Sequence, residues 1–265
     1  AGGPDPAARQ ASAPRIPPFS PSPRQTPAGP GFDPDGADGG GNRPLHVAVG
    51  QNNQEAVNAL LGAGAAVDIL DANSRTPLMQ AIEGDNLPVA GLLLENGADV
   101  NAFDRRGDTA LHRAVRKRNP ESIRMLLGKG ADPRRFNFTH MTPLHIVARA
   151  GHNDLVSIFL EIPDMTGLHD EADATPLDLA LKAHQYETAE LLIEAGADID
   201  RILANGDTLM HTTILARDYR TTRFLINQGG RLDVPNAAGE TAFDVLRRKQ
   251  LTGLIEMVQM RDNPE

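Results

Sequence analysis

Apolar residues fall along this chain in short clusters at a fixed step. Val57, Leu60 and Leu61 form the first, followed by Leu93 and Leu94; Ile123, Leu126 and Leu127; Val156, Phe159 and Leu160; Leu192 and Ile193; and Leu225 and Ile226. Spacing of i, i+3 and i+4 gives a helix one buried face, so each cluster predicts a short amphipathic helix. The clusters recur 33 residues apart, and a second series keeps the same phase: Thr76, Thr109, Thr142, Thr175, Thr208 and Thr241, with Arg43 at the front. A Thr before an apolar run caps a helix, and the Pro after Thr76, Thr142 and Thr175 sits where a missing N–H costs nothing. Gly64, Gly97, Gly130, Gly196 and Gly229 are placed to end the second helices as left-handed caps. Gly41, Gly107, Gly206 and Gly239 supply positive φ to the loop before a Thr or Arg43. The predicted unit is a loop, a short helix, a tight turn and a second helix, in seven copies over residues 38–262.

Read from their Thr, the copies run TPLMQAI, TALHRAV, TPLHIVA, TPLDLAL, TLMHTTI and TAFDVLR. A 33-residue period with a T-P-L-H-x-A core resembles the ankyrin-repeat family. The resemblance implies an all-α, ankyrin-repeat α-solenoid of paired helices and β-hairpin loops, seven repeats including two capping repeats. It also implies that His46, His112, His145 and His211 tie each repeat to the next through loop backbone. Where Met79, Asp178 and Asp244 replace that His, the network is expected to break. Pro163-Asp164-Met165-Thr166 stands where other copies have Gly-Ala-Asp, so the turn after repeat four is expected to differ.

Residues 1–37 hold 10 of the 20 prolines and are expected to form a disordered Pro/Gly-rich leader or linker. Arg15-Ile16-Pro17-Pro18-Phe19-Ser20-Pro21 fits an Arg-x-x-Pro-x-x-Pro spacing, but such matches arise easily in a Pro-rich spacer. Residues 263–265 are a tail. Cysteine is absent, which excludes disulfides and a thiol nucleophile. No apolar run approaches the roughly 18 residues of a membrane span. The start at Ala1 suits an exported protein after signal-peptide removal, whereas the repeat type is most often cytoplasmic, and the compartment stays open.

Eight histidines and 35 carboxylates raise the question of catalysis or metal binding. Four His fill the structural slot and His152 opens a helix, leaving His140, His169 and His184, with no His-x-x-x-His pair. No nucleophile stands near a base, so no enzyme activity, metal or cofactor is expected. The resemblance places partners along the concave face formed by hairpin tips and inner ends of first helices. There, repeats three and four differ from the rest by presenting Phe103, Arg105, Arg106, Arg116, Lys117, Phe136, Phe138, Thr139, Met141, Arg149 and His169. Aromatic, Met and Arg side chains are what binding hot spots are made of. Between Arg105 and Arg135 ten Lys and Arg face three Asp and Glu, a local +7 on a chain of net charge −9. This belt suits another protein with an acidic contact surface, whereas the acidic remainder repels a long nucleic acid. The expectation is a monomeric, non-catalytic scaffold, with an inhibitor or immunity-like protein as the alternative on the same surface.

Overall fold

The computed structural model describes residues 33–38 and 42–262. The expectations for the Arg15–Pro21 spacing, for most of the leader, for Gly41 and for residues 263–265 lie outside them. Fourteen helices among the described residues form seven successive pairs. They are α1 Pro44–Gly50 and α2 Gln54–Gly62; α3 Pro77–Glu83 and α4 Leu87–Glu95; α5 Ala110–Lys117 and α6 Pro120–Gly128; and α7 Pro143–Ala150 and α8 Asn153–Leu160. The remainder are α9 Pro176–Lys182 and α10 Tyr186–Glu194; α11 Leu209–Leu215 and α12 Tyr219–Asn227; and α13 Ala242–Arg248 and α14 Thr252–Asp262. The hairpins carry isolated bridges, Phe103 to Thr109, Ile202 to Thr208 and Pro235 to Thr241, and no strand is formed among the described residues.

Such short helices are not stable alone and depend on their buried faces. Leu45, Leu78, Leu111, Leu144 and Leu177 occupy one slot of successive first helices, and Leu93, Leu126, Phe159, Leu192 and Leu225 one slot of the second, all essentially inaccessible. Each such side chain contributes about 1.5–3 kcal/mol of burial. Thr76, Thr109, Thr142, Thr175, Thr208 and Thr241 cap their helices as the spacing predicts. Arg43 does not; it donates instead to the Asp35 carbonyl, while the Asp35 carboxylate accepts from Ala66 N–H, so residues upstream of 38 close the first copy.

First helices stack on first helices, α1 on α3, α3 on α5, α5 on α7, α7 on α9 and α11 on α13. α9 and α11 break this series, since they do not pack closely, and neither do α10 and α12 behind them. The joint between the fifth and sixth pairs is thus held mainly by side chains.

Those side chains correct one expectation. Asp178 caps Thr175 N–H at 2.8 Å and accepts from Arg201 Nε and Nη2 at 3.1 and 2.8 Å, and Arg201 also reaches the Asp173 carbonyl. The network is therefore not interrupted at the fifth copy; an Arg–carboxylate pair replaces the imidazole. At Met79 a Glu83–Arg113 ion pair spans the same gap. The irregular fourth turn is real: the left-handed residue is Asp164 rather than the residue at position 163, and Met165 is buried behind it.

Candidate protein-interaction surface

Five of the hairpin tips are each set by one side chain. Asp71, Asp104, Asn137, Asp170 and Asn236 accept from the backbone N–H groups two and four residues on, which folds the loop over itself. The next residues but two then take positive φ. Gly107, Gly206 and Gly239 do so, but so do Ser74, His140 and Asp173 in the copies without glycine.

At Gly107 the glycine has a further reason. The Phe138 N–H donates to the Arg106 carbonyl at 2.8 Å, laying one hairpin on the other, and a Cβ at Gly107 would meet Phe138 N at 2.6 Å. Held this way, Phe138 packs edge-on against Phe103, with ring centroids 5.9 Å apart and planes at 69°, yet stays 54% exposed. An aromatic pair fixed by backbone and still open to water is a preformed contact. Arg105 and Arg106 flank it, both exposed, and Arg105 Nε donates to Ser74 Oγ at 3.1 Å.

The other sequence-selected residues are less alike. Phe136 is half-buried, its ring 6.3 Å from that of His145. Thr139 is exposed and spends its hydroxyl on Asn137 Oδ1 at 2.7 Å. Arg149 is exposed in the last turn of α7, and His169 is exposed 3.3 Å from Asp173. Met141 is a correction: it is only 8% exposed, because Asn137 holds its N–H at 3.0 Å and His112 its carbonyl at 3.0 Å, turning the side chain inward. It presents nothing to a partner.

The basic belt is also narrower than a charge count implies. Arg116 pairs with Asp108, Lys117 with Asp85 at 3.3 Å, and Arg113 with both Asp104 and Glu83. Desolvation, reinforced by Arg75 and Arg116, lowers Arg113 to about 10, which leaves it charged at neutral pH. No carboxylate pairs with Arg105, Arg106 or Arg134 among the described residues. Arg134 reaches only the Pro163 carbonyl, and Arg118, Arg124, Lys129 and Arg135 likewise have no carboxylate partner among the described residues, so seven of the ten cations of the belt are unpaired.

The His slot behaves as the resemblance implies. Nε2 of His46, His112, His145 and His211 donates to the carbonyls of Arg75, Met141, Ala174 and Glu240 at 2.9–3.2 Å. In the last three, Nδ1 accepts from the capping Thr hydroxyl at 2.8–2.9 Å. Burial pushes the pKa of His46, His112 and His145 below its ordinary value, with the carbonyl bond opposing. His46 Nδ1 has no partner, since Arg43 stands where the Thr would be.

Sequence reasoning missed a cavity of 480 Å³ between the fifth and sixth copies. Leu203, Ala204, Ala172, Thr212, Ala216 and Arg201 are among its walls. The readable signal was Leu203, an apolar residue in the slot that holds the loop-folding Asp or Asn elsewhere.

The family model described as ankyrin repeats (3 copies) matches residues 45–137 and 135–202. No curated protein sequence matches. Among solved structures, the crystal structure of the ankyrin repeat domain of Bcl-3, described as a unique member of the IkappaB protein family, is similar at 28% identity with a TM-score of 0.71. The match covers 77% of this chain and 94% of that one.

Proposed function

Because this chain belongs to the ankyrin-repeat family, whose arrays generally mediate protein–protein contact, we propose that it is a non-catalytic binding scaffold. Its partner docks on the tips of the third and fourth hairpins and presents an acidic surface to Arg105, Arg106 and Arg134. The observation that carries this reading is Phe138: a large apolar side chain, backbone-pinned, paired with Phe103 and more than half exposed. Such rigid aromatic anchors with flanking Arg are where binding energy concentrates.

The test is affinity purification from the native source with wild type and with a Phe138→Ala, Arg105→Ala, Arg106→Ala variant, nuclease-treated throughout. One protein recovered in stoichiometric amount by wild type and lost by the variant supports the proposal; equal recovery by both overturns it. Where the recovered partner is an enzyme whose rate falls in proportion to complex formed, the same surface acts as an inhibitor. Raised salt should weaken this complex, because the proposed attraction is between exposed charges.

A further inference from the structure

The loose joint between α9 and α11 has the character of a second binding site. We propose that the cavity there is a cleft for a partner's peptide segment bearing a Lys or Arg between apolar residues, separate from the Phe138 patch.

Three observations converge. The cavity lies where the stacking of first helices lapses, so its volume of 480 Å³ is room between repeats and not a fault inside one. That size falls in the range of built ligand pockets. Its walls are Leu181 and Leu209 behind and Ala172, Ala204 and Ala216 at the mouth. Leu203 turns an apolar surface into it from the slot where every other described hairpin tip keeps Asp or Asn. Small residues at the mouth admit a side chain, and the leucines hold an aliphatic stem.

Charge then chooses the tip. Three carboxylates line the cleft, Asp173, Asp178 and Asp218, against Arg201 and Lys182. Arg201 is committed to both Asp173 and Asp178, and even so Asp178 Oδ1 is buried with no hydrogen-bond donor. A buried acceptor without a donor costs free energy that an incoming N–H would recover. Asp218, at the other end, caps α12 by accepting from Thr221 N–H at 3.1 Å and from Thr221 Oγ1 at 2.6 Å, with His184 at 3.7 Å. The cleft therefore favours a cationic, hydrogen-donating tip on an aliphatic stem, the opposite preference to that of Arg105 and Arg106.

The experiment titrates the full chain, labelled with ¹⁵N, with acetyl-Leu-Lys-Leu-amide and separately with acetyl-Leu-Glu-Leu-amide, up to millimolar peptide. The Lys peptide should shift the amides of Ala204, Asn205, Thr212 and Ala216 saturably, with the Glu peptide weaker there by about tenfold or more. Ala216→Phe, and independently Ala204→Phe, fill the mouth from exposed positions and should abolish the shifts with the rest of the spectrum preserved. No shift at these amides, equal response to both peptides, or full response in a folded Phe variant would overturn the cleft. None of these outcomes depends on the Phe138 patch, whose own test uses the native partner.

Discussion

His112 donates from Nε2 to the Met141 carbonyl and accepts at Nδ1 from Thr109, so a second ring proton has no place in the folded state. Burial lowers the pKa of this residue, of His46 and of His145 from the ordinary value of 6.5. In each case the unfolded chain takes up the proton first. Their contribution is intact above pH 6.5 and is lost as pH falls from there toward the lower folded-state values, by up to about 1.4 kcal/mol per pH unit for each residue. Asp71, lowered from 3.8 by hydrogen bonds from Arg75 against the opposing desolvation, loses its contribution only in a more acidic window. Tm should therefore drop between pH 7 and pH 5, and less steeply in His145→Gln. A flat Tm over that range would show that the imidazoles do not hold the repeats together. Two neighbouring aromatics should separate stability from binding in the same way. Phe136, half-buried beside His145, should cost about 2 kcal/mol as Ala in urea unfolding, whereas Phe138→Ala should cost about 1 kcal/mol, the worth of its edge contact with Phe103.

At the scale of the helix pair, the turn between the two helices takes positive φ in every copy, at Asn52, Asp85, Arg118, Gly151, His184, Arg217 and Gln250. An L residue with a Cβ is strained there, and only the fourth copy uses glycine. Arg217→Gly removes that strain from an exposed position and should raise stability by about 0.5–1 kcal/mol, net of the entropy glycine adds to the unfolded chain. A loss of stability in equilibrium unfolding would contradict this. Gly107→Ala should do the reverse, because it adds the same strain and pushes Phe138 off the Arg106 carbonyl; unfolding free energy and partner affinity should fall together. These turns also explain what the sequence could disclose. Helix pairs and their caps were legible because periodic leucines and a Thr three residues from a His are local patterns. The left-handed turns at Arg118 and Arg217 were not, since the backbone imposes the conformation without a glycine to advertise it. Nor was the burial of Met141, which follows from two hydrogen bonds reaching it from Asn137 and His112, or the pairing of Arg201 with Asp178, which follows from how two loops meet.

Across the whole array each pair touches mainly its neighbours, so stability is a chain of interfaces, and the weakest decides where the chain parts. The joint between the fifth and sixth pairs lacks close packing of α9 on α11 and of α10 on α12. Among the contacts that span it are the Arg201 pair with Asp178 and Asp173, the Ala204 N–H bond to Asp173, a Tyr186–Phe224 ring contact at 5.0 Å and the Tyr186–Thr221 hydroxyl bond at 3.0 Å. Arg201 and Asp178 are both largely buried, with side chains 15% and 11% exposed. Removing one partner of such a pair leaves a buried charge uncompensated and costs on the order of 3–5 kcal/mol. Charged to a single interface, that cost should not lower the array uniformly. Arg201→Met should uncouple α11–α14 from the rest, so hydrogen exchange speeds up across Leu209–Asp262 while amides of α3–α8 keep their protection. Arg113→Met, which breaks the ion pair with Glu83 across a joint where α3 still packs on α5, should show no such split. Equal loss of protection along all fourteen helices in Arg201→Met would mean that the array unfolds as one unit and that the open joint is not its weakest point.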